Sequence, residues 1–168
     1  MPTLTRVAIL GAADDPNVPF AMASLLKAAP DLGISITSIK LSSALDLERA
    51  FAEMKRTRME ALLVVSGSLT YLSNKEIADR ALANRLPSCH GFKEAVAAGG
   101  LLSLGPDLVS LGRQAARLVD KIIRNQRPGE IPVEQPARYV MTINLRTARS
   151  LGLDVPPPML ARADEVIE

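Results

Sequence analysis

Short aliphatic runs alternate with amphipathic stretches and polar loops through the first two thirds of the chain. Arg6 to Leu10 is an aliphatic run closed by Gly11, and Ala12 to Pro19 is a polar stretch with two Asp, one Asn and two Pro. This pattern predicts a strand followed by a loop. From Phe20 to Leu32 the apolar residues Met22, Leu25, Leu26, Ala29 and Leu32 recur with helical spacing, and Gly33 supplies the stop. Ile34, Ile36, Ile39 and Leu41 predict a second strand. Ser42 or Ser43 then caps a helix whose apolar face is Leu47, Ala50, Phe51 and Met54. The alternation continues with a buried strand at Ala61 to Val65, a loop at Ser66 to Thr70 and a helix near Ser73 to Asn84. A fourth strand at Leu86 to Cys89, a short helix at Phe92 to Ala98 and a fifth strand at Leu101 to Leu104 complete it.

A long helix is predicted from Pro106 to Asn125. Leu108, Leu111, Ala115, Leu118, Ile122 and Ile123 give it a wide apolar stripe, and Arg113, Arg117, Lys121 and Arg124 form a solvated side. Asn125 to Arg138 has no period, Tyr139 to Ile143 is a last strand, Asn144 to Leu151 a short helix, and Pro156 to Pro158 opens an extended tail. Five strand and helix pairs in order predict an α/β fold with a parallel sheet covered by helices on both faces. Right-handed crossovers make it doubly wound and flavodoxin-like. Residues 1–125 form the expected lobe and residues 126–168 a C-terminal extension packing on it.

Composition narrows the function classes. The 168 residues suit one domain, and 48% hydrophobic with 23% charged residues describe a folded chain. A net charge of +2 and only 3% aromatic residues, with no Trp, supply neither a basic footprint nor stacking platforms for nucleic acid. Cys89 is alone, so no internal disulfide and no Cys-based zinc cluster is expected. The aliphatic runs fall far short of the ~20 residues that span a bilayer. The N-terminus lacks the basic, apolar and small-residue regions of a secretory leader. A soluble chain is expected.

In an open parallel sheet, ligands bind outside the carboxyl ends of the strands. The loops to search are therefore Ala12 to Pro19, Ser66 to Thr70, His90 to Lys93 and Ser103 to Asp107, where backbone N–H groups and hydroxyls can hold a small anion. Gly11 is followed by AADDPN rather than the GxGxxG fingerprint, and no Gly-Lys pair offers a phosphate loop. The third and fifth strands lack the Asp and Lys of a receiver domain. No cofactor is expected. SGSLT is not the GxSxG nucleophile elbow, and Cys89 and His90, as strand neighbours, point to opposite faces. They read as a buried thiol and a loop imidazole. Asp14 and Asp15 lack companion carboxylates for a metal, which leaves Asp14 as a polar ligand contact.

From His90 to Glu168 several motifs follow in one order: Gly91, Phe92, Glu94, Gly99 and Gly100; GPD at Gly105 to Asp107; PVEQP at Pro132 to Pro136; INLRTARSLGL at Ile143 to Leu153; and PPPMLARADEVIE at the end. This stretch closely resembles the C-terminal half of the ABC-transporter substrate-binding protein family that includes tryptophan and tyrosine binders. The segment from RVAIL to Asn84 looks like the start of the second lobe in the same family.

The resemblance implies one lobe of a type I periplasmic binding protein, in which two doubly wound lobes close on a solute and deliver it to an ABC permease outside the cytoplasmic membrane. It implies a binding protein rather than an enzyme, with a small amino acid or related carboxylate as solute. Carried over by position, the cleft-facing residues are Asp14 and Asn17, Ser66 and Ser68, Gly91 and Phe92, and Ser103 and Asp107. Leu104 stands before GPD where many members have an aromatic residue, and SGS replaces the aromatic or acidic residue often found after the third strand. The first lobe and leader are absent from the sequence, and the helix from Pro106 to Asn125 would return to that lobe. It is therefore expected to fold back onto its own sheet or to be covered by a second copy in a homo-oligomer. Two other classes remain: a free-standing sensor or interaction domain acting by self-association, and a small hydrolase using Ser66 or Ser68 with His90.

Overall fold

A computed structural model describes residues 4–168. Its elements in order are β1 (Arg6–Ala12), α1 (Asn17–Ala28), β2 (Ser35–Leu41), α2 (Leu47–Arg56), β3 (Ala61–Val64), α3 (Ser68–Leu72), α4 (Asn74–Ala83), β4 (Ser88–His90), α5 (Lys93–Ala97), β5 (Leu102–Pro106), α6 (Leu108–Ile123), β6 (Tyr139–Asn144), α7 (Leu145–Leu151), α8 (Pro157–Leu160) and β7 (Glu165–Ile167). The sheet order is β2-β1-β3-β4-β5-β6-β7. The first five strands are parallel, as the flavodoxin-like reading requires, while β6 runs antiparallel to β5 and β7 parallel to β6.

Alternation along the strands sorts the core into two halves. Ala8 and Leu10 of β1, with Leu62 and Val64 of β3, face α2 and α4, where Leu47, Phe51, Met54 and Ile77 close the larger cluster. Val7 and Ile9 face the other way, onto α1 through Val18, with Leu25, Ile36 and Leu63 around them. Because β1 is buried on both sides it reads as a continuous aliphatic run. Asp46 holds the start of α2: its carboxylate accepts the Ser42 and Ser43 N–H groups at 2.8 and 3.0 Å, which lowers its pKa.

Three elements depart from the sequence reading. The stretch read as a loop at Ser66 to Thr70 is partly helical, because Thr70 ties its hydroxyl back to the Val65 carbonyl at 2.8 Å and turns the chain into α3. The tail past Pro156 is not merely extended: it forms α8 and then β7, which adds a further strand to the sheet. The larger correction concerns α6. None of its sixteen residues is buried, so it does not fold back onto its own sheet. It lies against the neighbouring loop through Gln114 and Arg117, which donate to the Glu134 carboxylate at 2.9 and 2.6 Å. One sheet face is thus covered by α2, α4 and α5, and the other by α1 and the segment around Val155 to Met159.

Candidate functional site

The strand order changes direction between β1 and β3, where chain connections leave to opposite sides and open a crevice at the carboxyl ends. Four loop tips meet there. After β1, the Asp15 carboxylate accepts the Asn17 N–H at 2.8 Å, an Asx turn that sets the first residue of α1. That carboxylate also rests against Gly67, so the β1 and β3 loops touch. After β3, the Ser66 hydroxyl lies against the Cα of Gly91, the residue that follows β4. Gly91 in turn packs its carbonyl against Gly105 near the end of β5, an approach that leaves no room for a side chain on Gly105.

These contacts outline an open cleft of about 1120 Å³, lined by Asn17, Ser66, Ser68, Tyr71, Phe92 and Leu108 among others. Phe92 and Tyr71 meet edge to face, ring centroids 5.6 Å apart at 84°. Leu63 and Val65 supply an apolar floor, and Asn17, Ser66 and Ser68 bring a few polar groups to the rim. An apolar hollow with a few placed hydrogen-bonding groups is the usual make-up of a small-molecule site.

The family described as ABC transporter substrate binding protein matches residues 1–167. The chain belongs to that family. Among solved structures it is similar to the ABC domain in complex with L-Trp from Streptococcus pneumoniae, at 18% identity and a TM-score of 0.91, covering 99% of this chain and 58% of that one. It is also similar to a conserved domain protein from Vibrio cholerae, at 21% identity and a TM-score of 0.92, covering 99% and 56%. A third likeness is to the ligand-free, open structure of a substrate binding protein with adhesive properties from Clostridium difficile, at 16% identity and a TM-score of 0.72, covering 99% and 55%. No curated protein matches the chain. The fold is thus that of a periplasmic-binding-protein lobe, and this family member spans a little over half the length of the structures it matches. Among the described residues no helix is long and apolar enough to cross a membrane.

The eight residues named from the sequence fall into distinct settings in this substrate-binding lobe. Asn17, Ser66, Ser68 and Phe92 line the cleft together. Asp14 is exposed on the β1 loop, and Gly91 contributes its backbone between Ser66 and Gly105. Asp107 is the N-cap of α6: its carboxylate accepts the Val109 and Ser110 N–H groups at 2.9 and 3.3 Å, and those bonds hold its pKa low. Ser103 lies outside the cleft. It is fully buried, and with its register partners His90 and Thr142 it forms a polar row across β4, β5 and β6 under α5.

His90 is accordingly a core residue and not a loop imidazole. Burial pushes its pKa down to about 4, so it is neutral, and its Nε2 lies 3.0 Å from the Ser88 hydroxyl. Cys89 points to the opposite face, half-buried, with its thiol pKa raised by desolvation. Sequence reasoning missed Tyr71 and Leu108. Both were visible as apolar residues one helical turn beyond SGS and just after GPD. Placing Tyr71 in the cleft required knowing that the helix begins at Ser68 and not Ser73.

Proposed function

We propose that this chain forms one wall of a solute-binding cleft in an ABC import system and takes a small amino acid or related carboxylate. The observation that carries the reading is the convergence of Asn17, Ser66, Ser68 and the Tyr71–Phe92 pair at the sheet's switch point. The Ser66 and Ser68 hydroxyls donate to the solute carboxylate, the Asn17 side-chain oxygen accepts from its ammonium group, and its side chain lies against Phe92, Tyr71 and Leu108. The L-Trp held by the Streptococcus pneumoniae neighbour supports an amino acid as the solute class. In this role the protein works outside the cytoplasmic membrane and hands its solute to a permease, with binding rather than chemistry as its task.

One wall gives an open cleft and modest affinity, since closure and exclusion of water by a second lobe supply much of the binding energy in a hinged site. The unburied α6 favours a second reading, a self-associating interaction domain. A thermal-shift screen against the amino acids and short carboxylates separates the two readings. A solute at ~100 times its dissociation constant stabilises the native state by about 2.7 kcal/mol. Stabilisation by one chemical class, lost in Phe92→Ala, is the expected result. No shift with any solute at tens of millimolar contradicts the binding reading.

A further inference from the structure

The polar row under α5 holds more hydrogen-bonding capacity than the protein itself uses. His90, Ser103 and Thr142 are 3%, 0% and 1% exposed, yet His90 Nδ1, Ser103 Oγ and Thr142 Oγ1 have no partner in the protein. Among the described residues Glu94 Oε2 and Gln114 Oε1 share that condition, but both belong to half-buried residues that solvent reaches. The groups flanking the row are satisfied. Ser88, two residues before His90, pairs its hydroxyl with His90 Nε2 at 3.0 Å and accepts the Leu101 N–H at 3.3 Å. Asn144, two residues after Thr142, accepts the Thr147 N–H and donates to the Val96 carbonyl. The three orphans are therefore contiguous, one on each of three neighbouring strands. Buried polar groups are seldom left unpaired, because the loss of hydration is then not recovered.

Strand register sets the gap between them. Leu101 and Asn144 share a backbone hydrogen bond, as do Asp107 and Arg138, so Ser103 and Thr142, an even number of residues from each, form a pair of the same hydrogen-bonded type. Such pairs hold their Cα atoms about 5.5 Å apart with both side chains on one face. Hydroxyls standing side by side at roughly that spacing do not reach each other, whereas a single water making two bonds of about 2.8 Å spans the gap. His90 lies beside Ser103 on the next strand, about 4.8 Å away. Chemistry makes the same choice. Whichever ring nitrogen carries the proton, Nδ1 needs a donor or an acceptor, each hydroxyl can use both, and water offers both. Burial keeps the imidazole neutral, so no charge in the row calls for an ion.

We infer that Ser103, Thr142 and His90 Nδ1 bind an internal water between α5 and strands β4, β5 and β6, as a fixed part of the lobe. Three hydrogen bonds are the usual number for a buried water. Helix α5 packs on β5 and β6 and has Phe92 as its N-cap, so the water underlies the element that presents Phe92 to the cleft. The site stands whether or not a solute binds in the cleft.

A crystal structure of the native chain that resolves ordered solvent, together with water oxygen-17 relaxation dispersion in solution, tests the inference. The expected map has a solvent peak within hydrogen-bond distance of Ser103 Oγ, Thr142 Oγ1 and His90 Nδ1. The dispersion, whose amplitude reports long-lived internal waters, should lose the share of one water when Ser103→Ala and Thr142→Val are combined. Circular dichroism checks that this variant is folded, and Ser150→Ala, at an exposed hydroxyl on α7, is the control that should lose nothing. Hydroxyls turned onto backbone carbonyls or onto each other, with no solvent peak between them, overturn the inference. So does an amplitude that the folded double variant leaves unchanged. Where that variant does not fold, the native map decides alone.

Discussion

Gly91 and Gly105 approach so closely that a Cβ on Gly105 would lie 2.7 Å from the Gly91 carbonyl carbon and closer still to its oxygen. The obstruction is backbone, which cannot swing aside. Gly105→Ala is therefore expected to push β5 away from the β4 loop and to destabilise the lobe by about 1–3 kcal/mol, the usual cost of overpacking. Denaturant unfolding measures it. Gly112→Ala, where a Cβ meets open space on α6, is the control and should leave stability unchanged or raised.

The Tyr71–Phe92 contact joins α3 to the loop after β4 across the cleft wall. A double-mutant cycle with Tyr71→Ala and Phe92→Ala should return a coupling of about 0.5–1.5 kcal/mol in unfolding free energy. Additive losses would show that the rings do not support one another.

His90 sets a pH dependence. Its folded-state pKa is about 4, while an unfolded histidine titrates near 6.5. As pH falls the unfolded chain takes up the proton first, so His90's contribution to stability is complete above pH 6.5, drains between 6.5 and 4, and levels off below. The gap between the two values amounts to roughly 3 kcal/mol. Unfolding midpoints measured from pH 7 to 4.5 should fall steadily in the native chain. His90→Gln should flatten that slope whatever its absolute stability, and an unchanged slope would assign the dependence to other groups.

Much of this architecture was legible from period alone. In β1, α2, β3 and α4 the residues are buried according to spacing, because these strands and helices pack on one another and the apolar positions report that contact, whereas Leu26 and Leu32, on the expected apolar face after β1, are exposed. The site was legible at the level of loops, since strand ends define where a crevice opens. Individual side chains were not. Ser103 was read near the carboxyl end of a strand closing at Leu104, but β5 runs on to Pro106, so Ser103 is paired inside the sheet and strand alternation aims it under α5, while its neighbour Leu104 takes the open face. Tyr71 was hidden by a helix start that depends on the Thr70 hydroxyl reaching back to Val65. The stripe of α6 was plain in the sequence and misleading about its own lobe, because an apolar face says that a partner exists and not where it lies.

Asn144 links the C-terminal extension to the lobe. Its side-chain oxygen accepts the Thr147 N–H at 3.1 Å and caps α7, and its amide donates to the buried Val96 carbonyl at 3.2 Å. Asn144→Ala removes both and should cost about 2 kcal/mol. Asn144→Asp keeps the cap but has no donor for Val96, so its loss in unfolding experiments should not vanish. A neutral Asp variant would mean that the Val96 bond contributes nothing.

The central claim is that the cleft at the ends of β1, β3 and β4 holds a small amino acid or carboxylate. Titration of the isotope-labelled chain with candidate solutes, followed residue by residue through amide chemical shifts, tests it most directly. Saturable shifts gathered at Asn17, Ser66 to Ser68, Tyr71 and Phe92 are the predicted result. Solute-induced shifts that bypass these residues, or none at tens of millimolar with any candidate, would contradict it.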